Sequence, residues 1–332
     1  MKSLWKGYAK LAFYIGNFSR YILPDRCYRA LFTYKIQRLS DQERCITTER
    51  TNYYIRLPKG AHINFQRAIK IKDFKYPFRQ QHKFSAYFFD LYEYIRLFPR
   101  TLCFHYLFGD VDYEMPEPTF VKSRPIVEGE TFSVIGKLNK VRHFRFIYDK
   151  KHFADKKDLL VFRNEVRRQP RRTKLLERYI HHPMCDIGQI NNDSNQEHPE
   201  YHKPYMSINE QLNYKFIACI EGHDVATNLK WVMSSNSLAV MPRPKMESWF
   251  MEGKLIGGYH YVEVKEDYSD LIEKMQYYIS NPNEAEAIIN HAHTFVDQFR
   301  NKKLEQYISY NVINQYFEQT GQLNRPREYE KK

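Results

Sequence analysis

The second half of the chain alternates short β-like runs with helical patterns, and this alternation limits the possible folds more than any other feature. The β-like runs are residues 158–163, 214–220, 237–241 and 259–265. Helical patterns occupy about residues 164–179, 228–234, 270–279 and 283–299. Strands that alternate with helices of this length favour βαβ units around a parallel sheet. We therefore predict an α/β fold for this region.

The first half gives weaker signals. Residues 85–96 predict a helix, and residues 101–108 predict a buried strand. The polar stretch 186–204 predicts a loop, and the Tyr- and Ile-rich helix at 302–317 is expected to pack on another part of the chain. A boundary near residue 150 is the simplest division. We predict domains at residues 1–150 and 151–300, followed by a C-terminal helix and tail at 301–332.

The charge of the chain is positive and unevenly distributed. The net charge is +13, and the 42% of apolar residues are enough to form a core. Residues 1–60 carry 12 basic and 4 acidic side chains, and residues 137–178 carry 15 and 5. Such asymmetry indicates an anionic partner, which could be nucleic acid, anionic lipid headgroups or a phosphorylated substrate.

Cysteine usage and apolar segments indicate the compartment. The five cysteines are scattered without a CxxC pair, which predicts a reducing compartment rather than a disulfide framework or a zinc knuckle. The longest uncharged runs have 12 residues, fewer than the roughly 18–20 that a membrane span needs. The N-terminal segment has no small-residue cleavage site, so we predict no signal peptide.

The first residues have the pattern of an amphipathic helix. Leu4, Tyr8, Leu11 and Ile15 fall near helical spacing, with lysines beside them. A basic amphipathic helix that lies on a membrane surface has this pattern. An ordinary core helix whose lysines extend to solvent would have it too.

A pair of carboxylates follows the predicted strand of the first half. Asp110 and Asp112 lie where ligands bind in open α/β sheets, outside the carboxyl end of a strand. An Asp-x-Asp pair can hold a divalent ion against a diphosphate. It can equally form a turn in which the Asp side chains cap backbone amides.

Basic and small residues follow two strands of the second half. Arginines at the end of the first strand suit bidentate phosphate contacts, and they are Arg163, Arg167, Arg171 and Arg172. The turn at residues 221–228 begins a helix, and Gly222 would allow backbone amides to approach an anion. This turn is neither a G-x-G-x-x-G fingerprint nor a Walker loop, so we expect no NAD or ATP cofactor.

Longer segments resemble glycosyltransferase family 90. The segment YKFIACIEGHDVATNLKWVMSSNSLAVMPRPKMESWFMEGKLIGGYHYVEVKEDYSDL is similar to the C-terminal half of that family, which includes capsule-associated proteins and protein O-glucosyltransferases. The branch of lipopolysaccharide core glycosyltransferases is most similar, through GDVDYEMPEPTFVKSRPI and IGKLNKVRHFRFIYDKKHFADKKDLLVFRN. The resemblance extends over roughly residues 85–320 and covers the first 60 residues poorly.

The resemblance implies a GT-B-like architecture of two Rossmann-like domains that face a cleft, with the C-terminal helix packing back. It also implies a metal-independent, inverting reaction whose base is an Asp after a strand of the N-terminal domain. Asp110 matches that position best, with Asp112 in reserve because the local match slips by two residues. The donor would bind in the C-terminal domain and the acceptor in the N-terminal one.

For the nucleotide diphosphate, the resemblance implies the turn formed by Gly222, His223, Asp224, Val225, Ala226, Thr227 and Asn228. Asn228 stands where relatives have an arginine, so the phosphate charge would be met by Lys230 and the arginines. Glu247 and Glu252 follow the next strand and are expected to accept hydrogen bonds from ribose hydroxyls. The alternative is that both are solvent-facing helix residues.

Together these observations predict a sugar transferase that moves glucose or galactose from a UDP-sugar to a lipopolysaccharide core saccharide. We expect it in the cytoplasm, peripheral on the cytoplasmic face of the inner membrane, with no cofactor and no nucleic acid partner. One alternative is a metal-dependent GT-A-type transferase with Asp110 and Asp112 as ligands. Another is a basic nucleic-acid-binding protein, although no recognition motif is present.

Overall fold

A computed structural model describes residues 2–36, 39–76, 84–166, 168–191 and 198–323. The chain divides into two compact units, one formed by Met1–Val141 with Asn301–Lys332 and the other by Arg142–Arg300. The residues after 300 therefore belong to the first unit, whereas the sequence pattern predicted a separate C-terminal helix and tail at 301–332. The acceptor and donor roles expected for the two domains stay predictions.

The first unit begins with three helices that precede its sheet. Its helices and strands in chain order are α1 (Lys2–Ile22), α2 (Asp25–Ile36), α3 (Asp41–Tyr54), β1 (Ile69–Lys70), α4 (Ser85–Ile95), β2 (Cys103–Tyr106), β3 (Thr119–Val121), β4 (Ser123–Pro125), β5 (Ser133–Ile135) and α5 (Lys140–His143), which ends just past the boundary. A four-stranded sheet has the order β1-β2-β3-β5. In this sheet β1 is antiparallel to β2, and the other neighbours are parallel.

Local sequence explains where these helices lie. A capping box starts α3, in which the Ser40 hydroxyl accepts from the Glu43 amide and the Glu43 carboxylate accepts from the Ser40 amide. Helix α1 packs on α4 through aromatic side chains, with the Phe18 and Phe89 ring centroids 4.9 Å apart. The predicted helix at 85–96 is confirmed, and the predicted strand at 101–108 is shortened to β2.

The second unit is built around a parallel sheet. Its helices and strands are β6 (Lys157–Asn164), α6 (Pro170–Tyr179), β7 (Cys185–Gln189), α7 (Ile208–Gln211), β8 (Tyr214–Ala218), α8 (Leu229–Val232), β9 (Leu238–Met241), β10 (Met246–Ser248), β11 (Val262–Glu263), α9 (Leu271–Ser280) and α10 (Pro282–Asp297). Five strands form one sheet in the order β11-β9-β8-β6-β7, and every pair in it is parallel. The predicted α/β class is confirmed.

Three sequence expectations in this unit are wrong in part. The stretch 186–204 was expected to be a loop, but its first residues belong to β7, an edge strand that pairs only with β6 in this sheet. The sequence DIGQ has one β-branched residue, so propensity alone did not indicate a strand. The helix expected at 228–234 is only the single turn α8. Residues 259–265 likewise shorten to the two-residue strand β11.

The last helix, α11 (Lys302–Gln319), returns to the first unit and packs on α3 and α4. Its Glu305 carboxylate lies 2.6 Å from the buried Arg50 guanidinium of α3. The Tyr316 ring packs 4.5 Å from the Phe120 ring of β3, measured between centroids. The expectation that the Tyr- and Ile-rich helix packs on another part of the chain is therefore confirmed.

Four 3-10 helices complete the described structure, at Ile71–Asp73, Phe153–Asp155, Pro199–Tyr201 and Glu252–Lys254. Within the ranges given above, no helix combines the length and the apolar content needed to cross a bilayer.

Candidate active site

The first candidate group follows β2 in the first unit. Gly109 has a φ of +115°, a conformation that favours glycine, and it turns the chain just before Asp110. Val111 is buried against Met115 and Val121. Its neighbours Asp110 and Asp112 therefore lie toward solvent, with the Asp110 side chain 45% exposed and Asp112 exposed.

A lysine that the sequence analysis did not single out positions Asp110. Lys122 lies between β3 and β4, and its buried Nζ donates to Asp110 Oδ1 at 2.6 Å. This contact holds the carboxylate in one place while leaving part of it accessible. In the portion of the chain that is described, no group of three or more His, Cys, Asp or Glu side chains is arranged to hold a metal ion.

The second candidate group lies at the carboxyl ends of β6 and β8 in the second unit. Arg172, near the start of α6, reaches both ends. Its Nη1 donates to the Glu165 carbonyl at 2.7 Å, and its Nη2 donates to the Ile220 carbonyl at 3.0 Å. Both acceptors are neutral, and no carboxylate in the described ranges bonds to this guanidinium. The Asp224 and Glu165 carboxylates attract this guanidinium through space, but they do not bond to it, so it can still receive an anion at this edge of the sheet.

Gly222 lies directly beside that guanidinium. Its amide donates to the Asp224 carbonyl at 3.1 Å, which closes the turn after β8. A Cβ added at Gly222 would lie 3.0 Å from Arg172 Nη2 and 3.2 Å from Gln169 Oε1. A side chain at this position would therefore press on the Arg172 guanidinium, which would have to shift by a few tenths of an ångström.

The rest of the predicted turn has mixed exposure. His223 is exposed and Thr227 is half-buried, whereas Asp224, Val225 and Ala226 are buried. Because α8 is one turn long, its dipole gives an anion less support than the expected longer helix would.

Asn228, the last residue of the predicted turn, reaches back to β8. Its side-chain amide donates to the Ala218 carbonyl at 2.9 Å. It therefore holds the turn against the strand that precedes it.

Two of the predicted phosphate-binding arginines bond to carboxylates. Arg163 donates to the Asp186 carboxylate at 2.5 Å and to the Asp186 carbonyl at 2.7 Å, which ties β6 to β7. Arg171 donates to the buried carboxylate of Glu221. These contacts favour a structural role for both arginines. Arg167 lies outside the described residues.

Lys230 and Glu252, for which the sequence predicted phosphate and ribose contacts, form a buried ion pair with each other. Lys230 Nζ donates to Glu252 Oε1 at 2.6 Å, and the two side chains are 0% and 1% exposed. Glu252 also accepts from the Ser248 amide at 2.6 Å. Glu247 is 1% exposed as well, so neither glutamate is a solvent-facing helix residue. A ribose contact from either one stays a prediction.

Two further basic residues lie after β9 and were missed. Arg243 and Lys245 are exposed, and both follow the carboxyl end of that strand. Lys245 Nζ lies 3.1 Å from Glu266. The sequence MPRPK follows an apolar run, as the arginines follow β6. The rule that basic residues directly after a strand suit phosphate contacts would therefore have found these two residues as well.

Glu221 joins the strands at this edge. Its carboxylate accepts from the amides of Lys245 and Met246 at 3.1 and 3.0 Å. Burial raises the pKa of Glu221, although these amides and Arg171 act in the opposite direction. The turn after β8 and the segment before β10 are thus held together around a buried carboxylate.

Comparison with known proteins gives a consistent identification. Residues 111–329 match the sequence model of a family described as glycosyl transferase family 90. The chain is 42% identical over 233 residues, 70% of this chain and 72% of the relative, to a Dichelobacter nodosus protein named O-glucosyltransferase LpsA. It is also 33% identical over 106 residues, 30% of this chain and 9% of the relative, to uncharacterized protein 179R of Invertebrate iridescent virus 6. Asp112 lies inside the matched range, and Asp110 is the residue just before it.

Proposed function

This chain belongs to glycosyl transferase family 90, and on that premise we propose that it moves a hexose from a UDP-sugar to a lipopolysaccharide core saccharide. The observation that carries the donor part is Arg172, a guanidinium whose hydrogen-bond acceptors are neutral carbonyls, beside Gly222 at the carboxyl ends of β6 and β8. Glucose is favoured over galactose, because one relative is named an O-glucosyltransferase.

The chemistry that we propose for the donor site is stabilisation of the leaving group. As the bond to the sugar breaks, the UDP gains negative charge, which fixed positive groups stabilise in the transition state. Arg172 is held by two backbone carbonyls, so little reorganisation is needed to receive that charge. Arg243 and Lys245 are exposed at the neighbouring strand end and could neutralise further phosphate charge.

For the acceptor, we propose Asp110 as the general base of an inverting reaction. It would take the proton of the acceptor hydroxyl as that oxygen attacks the anomeric carbon, a role that typically contributes about 10²–10⁴-fold to the rate. The contact with Lys122 supports Asp110 because it fixes the carboxylate while leaving it accessible. The same ammonium group already neutralises the carboxylate, which favours a metal-independent reaction over the GT-A alternative.

The remaining parts of the proposal concern architecture and location. We propose that the second unit binds the donor and the first unit binds the acceptor, as in a GT-B enzyme. We place the enzyme on the cytoplasmic face of the inner membrane, because residues 1–60 are strongly basic and core lipopolysaccharide carries phosphate groups. Membrane association should weaken with added salt and with deletion of residues 1–20.

The base is tested with Asp110→Asn and the matched variant Asp112→Asn. We expect Asp110→Asn to lower kcat by about 10²–10⁴-fold and to leave UDP affinity in calorimetry unchanged, and Asp112→Asn to retain most activity. Near-normal turnover of Asp110→Asn excludes it as the base, and the reverse pattern assigns the role to Asp112.

The donor and the metal are tested with purified protein and truncated lipopolysaccharide. Rates with UDP-glucose and UDP-galactose must be compared, because both hexoses add the same mass to the acceptor. We expect a faster rate with UDP-glucose and full activity in EDTA. Loss of activity in EDTA that manganese restores would support the metal-dependent alternative instead.

A further inference from the structure

The first unit contains a cavity of about 600 Å³ at the turn between α1 and α2 and the end of α4. The charged residues that line it are Asp25, Arg26, Arg29, Arg96 and Arg100. Four of these five are positive. Arg26 and Arg100 are exposed, and within the described ranges neither is paired with a carboxylate. The cavity therefore has an excess of positive charge that suits an anion.

The wall of this cavity is fixed by Arg96, which is 3% exposed. Its guanidinium lies 2.7 Å from the Asp25 carboxylate and donates to the Arg20 carbonyl at 2.5 Å. The guanidinium carbon also lies about 5 Å from the ring centroids of Tyr28 and Tyr92. Arg96 therefore fixes the turn between α1 and α2, and the exposed side chains of Arg26 and Arg100 line the same cavity.

A row of exposed apolar side chains on α1 leads to the same cavity. Leu11, Ile15 and Ile22 are 57%, 61% and 80% exposed. At 100° per residue they fall within about 40° of one another around the helix. The row borders the aromatic face that packs on α4, since Phe18 lies about 20° from Leu11 by the same rule. Leu23, 43% exposed, continues it onto the rim of the cavity.

We propose that this face of α1 and α2 docks on an anionic bilayer, with the phosphate of a lipid headgroup in the arginine cavity. Positive charge next to exposed apolar side chains matches this partner, because a bilayer interface presents phosphate groups directly beside hydrocarbon. A partner protein that offered only an apolar groove would leave the cationic cavity without a counter-charge. The inference deepens the membrane location in the proposed function and rests on it, but it does not depend on the transfer reaction.

The test measures binding of the full chain to vesicles by co-sedimentation. The vesicles are phosphatidylcholine alone or phosphatidylcholine mixed with phosphatidylglycerol. One variant combines Arg26→Gln and Arg100→Gln, and its matched control combines Arg44→Gln and Lys59→Gln, two exposed cations of the same unit outside the cavity. A second pair of variants compares Ile22→Ser with Ile46→Ser on α3, where Ile46 is 37% exposed.

We expect the cavity variant to bind anionic vesicles roughly 25-fold more weakly, because each arginine near such a surface contributes about fivefold. The charge-matched control should stay near the unaltered protein, and Ile22→Ser should weaken binding more than Ile46→Ser does. Equal losses in the cavity variant and its control would overturn the inference, since nonspecific attraction would then explain both. So would unchanged binding of the cavity variant.

Turnover with a water-soluble acceptor separates this inference from the proposed function. Every variant should retain it, because none of the altered residues is placed in the catalytic site. A cavity variant that loses this turnover would assign the cavity to the acceptor and overturn the lipid assignment. Absence of turnover in the unaltered protein would refute the proposed function and leave the vesicle result unaffected.

Discussion

The buried pair of Lys230 and Glu252 gives a direct test of the structure against the sequence-based role for these residues. Lys230 Nζ lies 2.6 Å from Glu252, and both side chains are inaccessible to solvent. Removing one partner of a buried pair leaves an uncompensated charge and typically costs about 3–5 kcal/mol. We therefore expect Lys230→Met to lower the free energy of unfolding of the second unit by about that amount.

The assay is urea unfolding followed by tryptophan fluorescence. Trp231 and Trp249 are buried close to the pair in sequence, so their emission reports on this region. We expect Glu252→Gln to be similarly destabilising. The double variant should cost less than the sum of the two single variants, because it leaves no unpaired charge. Lys245→Met is the control, and this exposed lysine should contribute about 0–1 kcal/mol.

The result that would refute this reasoning is specific. If Lys230→Met leaves the free energy of unfolding within about 1 kcal/mol and lowers UDP affinity in calorimetry, the ammonium group serves the donor rather than the fold. Strictly additive costs in the double variant would also contradict the pairing, since an interaction between the two side chains must appear as a deviation from additivity.

Three further outcomes are expected. Burial raises the pKa of Asp186, but hydrogen bonding led by Arg163 outweighs it and lowers this pKa from 3.8 to about 2. This stabilisation is therefore present above about pH 4 and is lost as the pH falls toward 2. The free energy of unfolding, measured with urea, should fall less steeply over this pH range in Asp186→Asn than in the unaltered protein. An equally steep fall would contradict this. Gly222→Val should weaken UDP binding more than about tenfold in calorimetry by crowding Arg172, and unaltered affinity would place the donor site elsewhere. Tyr316→Phe removes the partner of a β2 amide and of a carbonyl before β3, so thermal unfolding should show a loss of about 1–3 kcal/mol, and no loss would mean that α11 is held by ring packing alone.

The periodicity of the chain was sufficient to predict its longer elements. Strand β6 and helices α6, α9, α10 and α11 all lie where the sequence indicated, because each buries an apolar stripe or run that is visible locally. Short elements were lost or shortened for the opposite reason. The edge strand β7 and the single-turn α8 are defined by their neighbours in the fold, and their own residues carry little propensity.

The sequence alone also determined the family, and it indicated candidate site residues because these follow strands directly. Partners that are distant in sequence were decided only by the tertiary structure. Lys122 bonds to Asp110 although β3 separates them in sequence. Glu252 pairs with Lys230 although β9 and β10 separate those two. The local sequence shows that a side chain is charged, but it does not show which distant residue will pair with it. Only the folded chain decides whether that charge is buried in a pair or presented to a substrate.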